Sequence, residues 1–143
     1  MKPAQIVLIE DNPADVYLVE LALKEKGITH EMTRLNSGEE ALRALCPSDG
    51  TETSAFAPDA ILLDLNTPKS DGFEVLIKLK LSPRLARVPM AIITSSPATS
   101  DKHRTGLQGA RYIQKPAQLE EFLTTVGQAI KEMLEEGGAS KSP

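Results

Sequence analysis

Three acids, a hydroxyl and an ammonium stand where short apolar runs give out. Glu10 and Asp11 follow Ile6-Val7-Leu8-Ile9, and Asp64 follows Ala60-Ile61-Leu62-Leu63. Thr94 and Ser95 follow Met90-Ala91-Ile92-Ile93, and Lys115 follows the short run Arg111 to Gln114. Carboxylates brought together repel and raise one another's pKa. A divalent cation resolves that conflict. Mg²⁺ suits it, because it takes oxygen ligands and keeps several waters beside one or two carboxylates. Asp11 and Asp64 are the expected direct ligands, with Glu10 acting through water. A carboxylate can also attack phosphorus and become an aspartyl phosphate. Such a transfer is catalysed mainly by positioning and charge. Mg²⁺ and Lys115 would supply the charge, and Thr94 a hydroxyl donor. Singly, each residue has a plainer explanation: Asp11 as a solvated strand end or helix cap, Thr94 as a strand residue bonded to backbone, Lys115 as a solvated surface lysine. Asp64 resists that treatment most, since an acid directly after four apolar residues is costly without a partner.

The elements that must position these groups follow from periodicity. None of the three four-residue apolar runs alternates with polar residues, so both faces of each should be buried, as in central parallel strands. Thr29 to Leu35 reads as a more polar edge strand, and Arg111 to Gln114 as a short edge strand. Asn12-Pro13 predicts an N-cap with proline at the first helical position, and Gly27 the end of that helix. Ser37 with Glu40 three residues on predicts a capped second helix, ending near Cys46-Pro47. A third helix is expected from about Asp71, with Phe73, Leu76 and Leu79 along it, and a fourth over Ser100 to Leu107. Leu119, Phe122, Leu123, Val126, Ile130, Met133 and Leu134 form one apolar stripe of a fifth. This β-α alternation, with right-handed crossovers, predicts an α/β, doubly wound, three-layer sandwich. In such sheets ligands bind beyond the carboxyl ends of the strands, which is where the five chemical groups fall. Pro47 to Pro58 reads as an exposed loop. One domain is expected over residues 1–136, with a flexible tail over 137–143 and no output domain.

Bulk properties narrow the function. The 143 residues carry 16 Lys+Arg against 20 Asp+Glu, a formal charge of −4, without a long basic run. Nucleic-acid binders usually present a basic stripe, so no nucleic acid is expected as partner. The apolar run near the N-terminus is too short for a signal peptide or membrane span, so no membrane is expected. Cys46 is the single cysteine. It allows no intrachain disulfide, fits a reducing cytoplasm, and reads as a small apolar residue near a helix end.

Four ordered motifs then resemble the receiver domain of two-component response regulators, over nearly the whole chain: Ile9-Glu10-Asp11-Asn12; Leu63-Asp64-Leu65-Asn66-Thr67-Pro68-Lys69-Ser70-Asp71-Gly72; Ile92-Ile93-Thr94-Ser95-Ser96; and Gly109-Ala110-Arg111-Tyr112-Ile113-Gln114-Lys115-Pro116. The resemblance implies a flavodoxin-like (βα)5 fold with a five-stranded parallel sheet in the order 2-1-3-4-5. It implies Asp64 as the phosphorylated residue, and Glu10 and Asp11 as the metal-binding acidic pair. It implies Asn66 as the source of a coordinating backbone carbonyl, Thr94 as the hydroxyl that moves toward the phosphoryl group, and Lys115 as its ion-pair partner. It further implies a cis Lys115–Pro116 peptide and Tyr112 as an aromatic rotamer switch. The segment Glu10 to Val16, the loop before the third strand and the Thr94-Ser95-Ser96 run resemble the small regulators that partner phytochrome-type sensor kinases. On that likeness a sensor histidine kinase, such as a bacteriophytochrome, is the expected phosphodonor. Homodimerisation through the strand 5–helix 5 side and a downstream protein target of unknown identity are expected too. Helix 1, near Asp15, Leu18 and Ala22, would face the kinase.

Other readings compete. An aspartyl phosphohydrolase usually wants a second aspartate where Asn66 stands, and a cap domain. A flavin carrier would need a phosphate-binding loop where Glu10 and Asp11 would repel the phosphate. A phosphorylation-silent, receiver-like binding module would typically have lost one of Asp11, Asp64, Thr94 or Lys115, and all four are present.

Overall fold

In the computed structural model, which describes residues 2–46, 58–64, 72–95 and 99–141, the apolar runs become the middle of one sheet. The order is β1 (Ala4–Ile9), α1 (Pro13–Glu25), β2 (His30–Leu35), α2 (Gly38–Leu45), β3 (Ala60–Asp64), α3 (Gly72–Leu81), β4 (Met90–Thr94), α4 (Thr99–Leu107), β5 (Arg111–Gln114) and α5 (Leu119–Lys141). The strands pair in parallel in the order β2-β1-β3-β4-β5. Every residue of β3 and β4 is buried, because helices cover both faces. On the edge strand β2 only Leu35 is buried.

Strand alternation divides the core in two. Ile6 and Leu8, Ala60 and Leu62, Ala91 and Ile93, and Ile113 point to one face, where they meet Val19, Ala22 and Leu23 of α1 and Phe122, Val126, Ile130 and Met133 of α5. Val7 and Ile9, Ile61 and Leu63, and Met90 and Ile92 point to the other, against Ala41 and Leu45 of α2 and Val75, Leu76 and Leu79 of α3. The result is the three-layer, flavodoxin-like sandwich that the sequence predicts. No helix among the described residues is long and apolar enough to cross a membrane.

The local signals work as their chemistry requires. Asn12 accepts from the Ala14 N–H, and Pro13 opens α1. Ser37 accepts from the Glu40 N–H, while the Glu40 carboxylate reaches back to the N–H of Asn36, one residue earlier than in a standard capping box. Gly27 and Gly109 take φ of 70° just after α1 and α4, a left-handed conformation that glycine adopts without a Cβ penalty. Cys46 sits half-buried against the second core, at the end of α2.

Four expectations need correction or fall outside the described residues. Helix α5 runs to Lys141, so residues 137–141, expected within a flexible tail, are helical. Once a helix is nucleated each further residue adds a backbone hydrogen bond, and proline comes only at 143. Leu119, at the start of the apolar stripe, is 52% exposed because the stripe meets the sheet only from Phe122 onward. The Lys115–Pro116 peptide is trans, as are all described peptides, the isomer favoured by roughly 0.5–1 kcal/mol in X–Pro bonds. Of the loop Pro47 to Pro58, residues 47–57 lie outside the described residues, and Pro58 is buried.

Candidate functional site

The alternation that divides the core also aims the chemistry. Glu10 continues the phase of Ile6 and Leu8, Asp64 that of Ala60 and Leu62, and Lys115 that of Ile113. All three therefore project past the carboxyl ends of β1, β3 and β5 on the α1/α5 side. Thr94 continues the opposite phase, that of Met90 and Ile92. Residue Tyr112 pairs with Ile92 and packs against that second core, and Gln114 pairs with Thr94. Thr94 and Tyr112 are thus diagonal neighbours on one face.

At the rim, Lys115 holds three carboxylates at once. Its Nζ lies 2.8 Å from Asp64 Oδ2, 3.1 Å from Glu10 Oε1 and 3.2 Å from Asp15 Oδ2. Asp64 and Glu10 are buried, at 3% and 2% exposure. A backbone bond of 2.7 Å from the Lys115 N–H to the Thr94 carbonyl ties β5 to β4 at the same level. Thr94 is fully buried.

The electrostatics follow from this crowding. Burial, then hydrogen bonding to Asp64 and the Asp64 charge, push the Glu10 carboxyl up to about 8, against the opposing pull of Lys115. Burial alone would lower the Lys115 pKa. The hydrogen bond to Asp64 and the attraction of Asp64, Glu10 and Asp15 outweigh it and hold the ammonium above its ordinary range. One lysine neutralises only part of three acids. Oxygen atoms of Glu10, Asp15 and Asp64 lie within 4.8 Å of one another, an all-oxygen donor set that suits a hard divalent cation. The cavity above them measures about 460 Å³, and Asp11, Asn12, Ser95 and Pro116 also line it.

The expected residues are therefore mostly, but not all, assembled. Glu10, Asp64 and Lys115 converge. Asp11 lines the cavity, yet its side chain is exposed and is not one of the three clustered carboxylates. Asn66 lies outside the described residues, as does Ser96. The α1 residues expected to face a kinase are not the exposed ones of that helix. Asp15 turns into the site, Ala22 is fully buried against α5, and Leu18 packs on the core. The exposed face instead carries Tyr17, Glu20 and Lys24. The sequence reading missed Asp15 as a site residue. The available signal was its place in the first turn of a helix that starts directly beyond the acidic pair, where a side chain still lies at the strand ends.

Comparison with known proteins agrees with this geometry. The family described as Response regulator receiver domain matches residues 6–127. Response regulator Rcp1 of Synechocystis sp. (strain ATCC 27184 / PCC 6803 / Kazusa) is 43% identical over 94 residues, 66% of this chain and 63% of that protein. The aligned segment thus spans less than two thirds of that relative. The crystal structure of the phosphorylated cyanobacterial phytochrome response regulator RcpA superposes with a TM-score of 0.81 at 35% identity, covering 93% of this chain and 95% of that one. The Mn²⁺-bound form of response regulator Rcp1 gives 0.80 at 36% identity, covering 93% and 96%.

Proposed function

The chain belongs to the response regulator receiver domain family, and from that premise we propose that it is a phosphoacceptor switch with Asp64 as the nucleophile. The observation that carries this is the Asp64–Lys115 contact of 2.8 Å inside a buried, all-oxygen pocket at the carboxyl rim of the sheet. A bond forms from an Asp64 oxygen to phosphorus as the P–N bond of a donor phosphohistidine breaks. The imidazole leaves with that bond's electron pair and takes up a proton. Lys115 meets the incoming phosphoryl oxygens, and burial strengthens that attraction. Glu10, Asp15 and Asp64 would hold a divalent cation, with Mg²⁺ the proposed ion and Asp11 within reach of the same cavity. When bound, the cation supplies positive charge to the transferring group.

The donor we propose is a sensor histidine kinase of the phytochrome type, supported by the likeness to phytochrome response regulators. Signalling then follows from differential contacts in two packings of the domain. Thr94 and Tyr112 share the face opposite to Asp64 and Lys115, and a pull on Thr94 from the phosphoryl group would open room beside Tyr112. Homodimerisation through the β5–α5 side and a downstream protein target complete the proposal.

The test is intact-protein mass spectrometry after incubation with acetyl phosphate and Mg²⁺. One phosphoryl group should add to the wild type, only with Mg²⁺, and none to Asp64→Asn. No addition from acetyl phosphate or from a histidine kinase would leave a receiver-like binding module instead.

A further inference from the structure

At the end of β1 the backbone runs out of neighbours. The registers of β1 with β2 and with β3 both stop at Ile9, and the Glu10 N–H makes the last rung, to Leu35 O at 2.9 Å. The carbonyls of Glu10 and Asp11 lie beyond the ladder. One side chain takes both. Arg34 donates from Nε to Glu10 O at 3.1 Å and from Nη2 to Asp11 O at 2.8 Å. Arg34 pairs in register with Leu8, so its side chain must lean along β2 to reach two residues further.

Water could take the Asp11 carbonyl instead, since Asp11 is exposed, whereas Glu10 is buried. A rigid guanidinium fork does something water cannot: it fixes two consecutive peptide planes relative to β2. The first plane, with the Glu10 N–H held by Leu35 O, sets where the Glu10 carboxylate projects, and the two planes together orient Asp11; the Glu10 carboxylate already reaches Asn12 N and Lys115 Nζ. We propose that Arg34 is a positioning residue that holds the acid-bearing turn in cation-binding geometry. This deepens the phosphoacceptor reading and rests on it.

Charge alone argues the other way. A cationic side chain beside the turn repels a divalent cation, so its removal should tighten binding if orientation is irrelevant. The two effects therefore differ in sign.

The experiment is calorimetric titration of the full chain with MgCl₂, comparing wild type, Arg34→Ala and Arg34→Lys, with urea midpoints measured alongside. Positioning predicts a Kd raised roughly 10-fold in both variants, the scale seen when groups supporting a metal ligand are lost. Lysine keeps the charge but cannot fork, so it should not rescue. The urea midpoint should stay near wild type, since Arg34 is exposed. Unchanged or tighter binding by Arg34→Ala, full rescue by Arg34→Lys, or weakening matched by a fallen urea midpoint would each overturn the inference while leaving the phosphoacceptor reading intact. Absence of Mg²⁺ binding by the wild type would remove the cation reading and this inference together.

Discussion

Asp15 is where the residue scale teaches most. It sits three residues past the cap Asn12, within the first turn of α1, and shares Lys115 with Glu10 and Asp64. Neutralising it removes one of three clustered carboxylates while leaving Asp64, the proposed nucleophile, untouched. Asp15→Asn should therefore accept a phosphoryl group at Asp64 but need roughly 10-fold more Mg²⁺ for half-maximal modification. Mass spectrometry across a Mg²⁺ series reads this directly. An unchanged Mg²⁺ requirement would reduce Asp15 to a tether for Lys115. The meeting of Glu10, Asp64 and Lys115 was legible in the sequence because each stands at the end of a strand on one rim, whereas Thr94, also at a strand end, faces the other side of the sheet. Asp15 was not, because its role depends on the angle at which α1 leaves the rim, and no periodicity encodes that angle. The same angle decides that Asp11, though adjacent to Glu10, keeps its carboxylate outside the clustered three.

At the scale of elements, α1 and α5 approach each other through a missing side chain. A Cβ on Gly127 would stand 2.8 Å from Lys26 Cγ and 2.9 Å from the Ala22 carbonyl oxygen. The lysine stem can move, but the carbonyl belongs to the α1 backbone. Two effects of Gly127→Ala compete. Replacing glycine inside a helix gains about 0.8–1.0 kcal/mol of propensity, while overpacking costs typically about 1–3 kcal/mol. A net loss of order 1 kcal/mol is expected by urea unfolding, and a more stable variant would mean that α1 shifts freely. Because α1 also carries Asp15, the same variant should weaken Mg²⁺ binding. The strands were legible almost residue by residue, since four-residue apolar runs admit few alternatives. Helix faces were less so. In α1 the apolar residues spread around the cylinder, so only contact with α5 decides that Ala22 faces inward and Tyr17, at 62% exposure, outward. The continuation of α5 past residue 136 was hard to read because Gly137 and Gly138 weaken a helix without ending it.

At the scale of the whole molecule, the site makes stability depend on pH and on metal together. In the metal-free protein Glu10 titrates near 8 when folded, against 4.5 as its ordinary value. Between those values the folded chain keeps a proton that the unfolded chain has released. Folding is thus favoured by protons, and stability contributed through Glu10 is present at low pH and lost as pH rises toward 8. Lys115 has the same sign at a higher pH: its folded pKa is raised, so its contribution is complete below 10.5 and declines only above it. Of these two shifts, only that of Glu10 acts between pH 5.5 and 8. In EDTA, the melting temperature should fall across that range, and Glu10→Gln should flatten the slope. On the proposed reading Mg²⁺ would bind the ionised carboxylates, compete with the proton on Glu10 and stabilise by mass action. Its stabilising increment should then be larger at pH 8 than at pH 5.5. Calorimetric melts at the two pH values, with EDTA and with saturating MgCl₂, check both signs. An increment equal at the two pH values would show that Glu10 keeps its proton when the cation binds, leaving Asp15 and Asp64 as the carboxylates that hold it.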